Sequence, residues 1–295
     1  MRSALFPRLA LLAAGLCAAA PATHALSAYL PRAGQAELHP SVSYQWFDDF
    51  WFGKTPAVLP GQVVQRTVGL EGGYGFTDRL ALDYATGYSR VNYAGGPLGG
   101  PGGIVLTKDA REDRSGLADS RVALAVSLTD EFASLNPAMP TVAVRVGAII
   151  AGSYDTGFVN AVGNGGSGVE ATLLLAKTFP LHGAGLTAEL GYRWLDGAVP
   201  DAWTAALGAF KTFGPVTFSA GLREYHSTSG IDILGAGFAS LDSFPATREI
   251  NRTYELGLTW RYDDHIGYSL GYARTLEGRN TAKKNVLIFA ADLVW

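Results

Sequence analysis

Five residues have the side chains and spacing to attempt hydrolysis: Glu224, His226 and Ser227 in one stretch, Asp48 and Asp49 in another. A nucleophile must sit beside a base to be activated. Successive residues of an extended strand point to opposite faces, so His226 shares a face with Glu224 while Ser227 points away. Asp48 and Asp49 are separated in the same way. Neither a hydroxyl–imidazole pair nor a facing pair of acids assembles from this spacing. His39, His182 and His265 are scattered, and no two histidines have metal-ligand spacing. The glycine-rich run GGPLGGPGG (95–103) opens no helical pattern and lacks the Lys-Ser/Thr of a phosphate loop. These residues point to a chain that is not an enzyme, with no catalytic set, no metal and no cofactor.

A second set of residues could do a different chemistry. Glu71, Asp83, Arg121, Arg145, Glu170, Glu189, Arg193, Arg223, Glu255, Arg261 and Asp292 all fall on one parity of alternating segments, spaced by glycine and alanine. Six acids and five arginines nearly cancel. On the walls of a pore, arcs of opposite charge select solutes by charge and size. The same residues could instead bridge the interior as Arg–carboxylate pairs, since a sequestered charge needs a partner. Both readings stay open. Phe47, Ile149, Leu174, Leu195 and Phe210 share this parity, so such a lumen is not purely aqueous.

The elements that must carry these residues are strands. The last stretch, VLIFAADLVW (286–295), puts Leu287, Phe289, Ala291, Leu293 and Trp295 on one face. Tyr254, Leu256, Leu258, Trp260 and Tyr262 do the same, then Ile266, Tyr268, Leu270 and Tyr272 after the turn at Asp263-Asp264-His265. Long strands with one apolar face, small or charged residues on the other and aromatics at the ends suit a membrane barrel. Twelve such segments can be drawn at 36–52, 62–76, 80–93, 117–128, 141–154, 168–179, 186–195, 202–212, 216–227, 250–262, 266–276 and 286–295. Ten or fourteen strands are the alternatives. Charges on the apolar rows (Arg66, Arg90, Lys177, Lys211, Glu224, Arg274) fall near predicted strand ends, where a lipid-facing charge costs about 0–1 kcal/mol rather than 2–4. The predicted fold is all-β, a transmembrane antiparallel up-and-down barrel.

The connections agree with that count. Tight turns at 77–79, 213–215 and 263–265 and a short one at 180–185 belong on one side, taken as periplasmic with both termini. Longer loops at 94–115, 155–167 and 228–249 belong on the other. Two connections resist: 129–140 is long for a periplasmic turn, and 196–201 is short for an outer loop. The outer loops carry apolar patches at Ile104-Val105-Leu106, Phe158-Val159 and Ile231 to Leu241. Each patch could enter the barrel mouth as a constriction or pack on neighbouring loops.

The 295 residues suit one barrel, and a net charge of −3 offers no basic footprint for nucleic acid. Arg2, Arg8, the apolar run Leu9–Ala20 and Pro21–Ala25 read as a cleaved signal segment, residues 1–25, with the barrel over 26–295. Cys17, the single cysteine, lies in that segment, so the mature chain has no disulfide.

The stretches GYGFTDRLALDYATGYSR (73–90), LTAELGYRW (186–194), FGPVTFSAGLREY (213–225) and YELGLTWRYDDHIGYSLGYARTLEGRN (254–280) together resemble the phenol meta-pathway outer-membrane protein family. The resemblance implies a transporter-like barrel of the bacterial outer membrane and small, aromatic or hydrophobic solutes. It implies no catalytic residues. The expected partners are outer-membrane lipid, small-molecule solutes, and the barrel-assembly machinery through the final strand ending at Trp295. A lipid or peptide hydrolase, and a non-conducting receptor or structural barrel, are the alternatives.

Overall fold

The computed structural model describes residues 27–93, 95, 112–158, 160–239 and 241–295. The signal segment with Cys17 and the patch at 104–106 lie outside these. Among the described residues, thirteen strand segments form one sheet: β1 (Ala36–Phe52), β2 (Thr55–Thr77), β3 (Leu80–Tyr93), β4 (Glu112–Leu117), β5 (Ser120–Thr129), β6 (Thr141–Ile150), β7 (Gly168–Phe179), β8 (Ala184–Leu195), β9 (Ala202–Phe213), β10 (Val216–Ser227), β11 (Ile250–Arg261), β12 (Ile266–Arg279) and β13 (Asn285–Val294). Each pairs antiparallel with its neighbours, and β1 pairs with both β2 and β13, which closes the sheet. Closure leaves no edge of unpaired N–H and C=O groups facing hydrocarbon.

The thirteen segments make twelve staves. β4 and β5 both pair with the same side of β3, through Tyr88↔Leu117 and Ala85↔Arg121. They are two halves of one strand, interrupted at Ala118 and Asp119. Asp119 is turned to local work there: its Oδ1 accepts from the Gly152 backbone N–H at 3.0 Å and from the Tyr154 hydroxyl at 2.5 Å. The structure is thus the expected twelve-stranded transmembrane barrel.

Side-chain parity follows the sequence. Arg145 is 1% exposed and its neighbour Val146 is 52% exposed, the difference between the lumen and the outer wall. Leu124, Leu190, Leu207, Leu222, Leu270 and Phe289 stand exposed on the outer face, while Ala81, Ala125, Ala143 and Ala206 are buried inside. In water an exposed apolar belt of this extent would be a liability; in a bilayer it is the solvated face.

The largest departure from the predicted boundaries is at the first hairpin. β2 begins at Thr55 rather than 62, and the turn is only Gly53-Lys54, with Gly53 at φ 57°. The extra length stands above the rest of the wall, because β2 meets β3 only from Val63 onward. That free flank explains Pro56 and Pro60, which would break a ladder in a central strand but not at an edge.

Candidate functional site

The lumen is built in three layers. At the end opposite the termini, Phe47, Phe50 and Leu59 of the tall hairpin, with Val63, Val91 and Tyr93, form a buried apolar cluster. The connection between β10 and β11 folds onto it and contributes Ile233, Phe238 and Phe244. The patch predicted at 231–241 therefore packs on the hairpin and also lines the lumen through Ile233. Phe158, from another predicted patch, lies under the Arg114 guanidinium at 3.3 Å from ring centre; Val159 is outside the described residues.

This roof is tied down by Asn280, which is 5% exposed and adopts φ 50°. Its Oδ1 accepts from the Gly53 and Ile233 backbone N–H groups at 2.7 and 3.0 Å. Its Nδ2 donates to Arg248 O at 2.8 Å and Asp232 Oδ1 at 3.0 Å. Arg279 holds Asp232 with two further hydrogen bonds, at 2.7 and 2.6 Å. Arg279 and Asn280 together hold the Asp232 carboxyl below the usual carboxylate range.

The middle layer is the charged belt. Glu170 on β7 receives three arginines from three different strands: Arg145 at 3.0 Å, Arg193 at 3.2 Å and Arg121 at 3.5 Å. Asp83 on β3 lies within electrostatic reach of Arg121 and Arg145. Farther round the same wall, Arg223 on β10 is held between Glu189 on β8 and Glu255 on β11, at 2.9 Å from each. The belt has two poles, one with three arginines to two carboxylates, the other with two carboxylates to one arginine.

The third layer closes the end that carries the termini. Residues 28–31 turn inward, and Ala28, 1% exposed, packs on the inward-facing Ala143, Leu174 and Ala176. The Tyr29 hydroxyl donates to Glu131 Oε1 at 2.5 Å and meets Thr178 Oγ1 at 2.7 Å. Burial, then the Glu131 contact, push the Tyr29 hydroxyl up to about 12. Glu131 lies in the connection 130–140, the one that looked too long for a turn. It also accepts from Lys177 Nζ at 2.8 Å. That connection is long because it carries the anchor for the chain's own leading segment.

Most of the predicted lumen set therefore meets. Glu71, Arg121, Glu170, Arg193, Arg223 and Glu255 line one cavity of about 480 Å³. Arg145, Glu189 and Asp83 join the same network, through Glu170, through Arg223 and by electrostatic reach of Arg121 and Arg145 respectively. Asp292 is in the lumen but apart, accepting from Ser269 Oγ at 2.7 Å and 2.9 Å from His39 Nδ1. Arg261 is exposed at the rim beside the β9–β10 turn, its N–H donating to Pro215 O. Sequence reasoning missed Asn280, Tyr29 and Glu131, which sit in connections without periodicity.

Four of the five residues considered for hydrolysis are engaged elsewhere. His226 stacks on Trp203 with ring centres 5.0 Å apart. Ser227 is buried on the other face and accepts from the Glu249 N–H at 3.1 Å. Glu224 pairs with Arg252 and Asp49 with Lys283.

No family model matches the chain, and no curated protein matches it. Among solved structures it is similar to the COG4313 outer membrane channel from Pseudomonas putida F1, with a TM-score of 0.64 and 15% identity over 90% of this chain and 98% of that one. The KdgM porin in complex with disordered oligogalacturonate aligns at a TM-score of 0.46 and 9% identity, over 87% of this chain and 98% of that one. The CymD monoaromatic hydrocarbon channel aligns at 0.40 and 10%, over 89% and 88%. At these identities the shared property is the fold: this chain has the architecture of the outer-membrane barrels.

Proposed function

We propose that this protein is a passive channel of the bacterial outer membrane for small amphipathic solutes. The carrying observation is the cavity of about 480 Å³ inside the barrel, apolar toward the roof and charged toward the middle. Its size falls in the range of about 300–1,000 Å³ occupied by small-molecule sites. An apolar mouth accepts a ring or alkyl group, and the belt offers polar partners to the rest of the solute. The resemblance to the phenol meta-pathway family supports an aromatic solute, and solute flow runs down its gradient.

In this reading residues 1–25 are removed on export and both termini face the periplasm. The barrel-assembly machinery recognises β13 and Trp295, and the roof faces outward. Mass spectrometry of the mature protein tests the first point: an N-terminus near Leu26 is expected, and a membrane-fraction protein starting at Met1 would contradict it.

The burial of Arg145 and Glu170 favours a second reading, in which the belt only braces the wall. Single-channel recording in planar bilayers separates the two. If the belt lines the path, Arg223→Glu shifts the reversal potential toward cation selectivity. If it only braces, the variant loses thermal stability and no ion current is seen in either protein.

A further inference from the structure

The two poles of the belt are not equivalent toward a solute. Arg223 spends its guanidinium on both of its carboxylates, through Nε to Glu255 and through Nη1 and Nη2 to Glu189. Arg121 and Arg193 each face Glu170 through Nε, at 3.5 and 3.2 Å. Neither side chain makes a hydrogen bond among the described residues, Arg121 Nε included, so their terminal N–H groups remain for another acceptor. Arg145 holds Glu170 from behind, fully buried, with its Nε and Nη1 bonded to nothing. Three guanidinium groups thus converge on Glu170 at one wall of the lumen, with Asp83 and Glu189 in electrostatic reach of Arg145, and one carboxylate cannot accept from all their N–H groups.

That wall opens on the cavity, since Arg121, Arg193 and Glu170 line it together with Phe47, Phe50 and Phe244. Guanidinium N–H donors beside a low-dielectric, aromatic chamber are a receptor for a planar anion carrying a ring.

We propose that Arg121 and Arg193 form a binding site for the carboxylate of a small aromatic acid whose ring occupies the apolar chamber. This deepens the channel reading by naming the solute class, and it rests on that reading for its purpose but not for its test. Arg145 is a positioning residue: it fixes Glu170, and Glu170 spaces the two receiving arginines.

Benzoate, benzyl alcohol and benzylamine share a ring and differ in the charge of the head group. Equilibrium dialysis of each against the folded, detergent-solubilised full-length barrel at pH 7.5 measures the site without requiring flux. Empty micelles supply the partitioning control. Benzoate is expected to bind about tenfold more tightly than the other two, a difference of about 1.4 kcal/mol. Arg193→Gln should abolish the preference, and Arg193→Lys should restore part of it. Heat-modifiability of each variant confirms that the barrel is closed, and Arg121→Gln replaces Arg193→Gln if that variant fails to fold. Equal binding of the three ligands, or a benzoate preference untouched by these variants, would overturn the site. Benzoate bound with the expected preference by a barrel that passes no solute would sustain the site and end the channel reading.

Discussion

Glu170 is the residue whose loss should be felt most. Glu170→Gln leaves three arginines without their shared carboxylate, one of them fully buried. Removing one member of a buried ion pair costs about 3–5 kcal/mol. Urea unfolding should show a loss of that order, while Glu71→Gln, at a position with no ion pair among the described residues, should stay within about 0.5 kcal/mol. Equal effects would show that the belt does not act as a unit. Asp232 lies in the roof, outside the membrane, and its carboxyl is depressed by Arg279 and Asn280. A carboxylate whose folded pKa is lowered adds stability above its unfolded pKa of about 3.9 and loses it as pH falls through the folded value. The stability gap between wild type and Asp232→Asn should therefore be present at neutral pH and close below about pH 4. A gap that widens in acid would contradict the assignment. Parity alone marked eleven charges as inward; ten of these stand on the lumen side, and Arg261 lies exposed at the rim. Their pairing was not legible, because it depends on register: Arg193 is the cross-strand partner of Glu170 in the β7–β8 pair, while Arg145 stands diagonally from it on β6 and Arg121 reaches it from β5, and no local pattern encodes that.

Among the elements, each strand's alternation carried its own orientation. Leu258 is 37% exposed on the outer wall, and Thr259 beside it bonds Ser269 inside. Leu258→Arg should destabilise insertion by about 2–4 kcal/mol when folding into bilayers is measured, with Thr259→Arg milder. The reverse order would show the parity to be wrong. The sequence misplaced elements where two rules competed. Residues 55–61 fell between the drawn segments 36–52 and 62–76, yet they belong to β2, where Pro56 and Pro60 are tolerated because that part of the strand has a free flank. The roof was legible only as an apolar patch, since Asn280, its tie, has no periodic signature. Asn280→Ala removes acceptors from two backbone N–H groups and donors to the 228–249 connection. Limited proteolysis should then cut within 228–249 faster than in wild type, with heat-modifiability of the barrel kept. An unchanged cleavage rate would show that the apolar packing of Ile233, Phe238 and Phe244 suffices alone.

At the scale of the whole molecule, apolar rows, tight turns and an even number of staves all pointed to one closed barrel, and twelve staves are what the sheet contains. What could not be read is how full the interior is. A roof of loop and hairpin, a belt of ion pairs and the inturned segment 28–31 occupy the lumen in series, all built from contacts distant in sequence. On the channel proposal, a small amphipathic solute still crosses this interior. The most direct test is the swelling of proteoliposomes in isosmotic phenylalanine, an aromatic zwitterion that bilayers hold back, with raffinose as the bulky control. Folded wild-type barrel is predicted to swell the vesicles in phenylalanine well above protein-free vesicles, and not in raffinose. Swelling no faster than in protein-free vesicles, from a barrel proven folded by heat-modifiability, would contradict the channel.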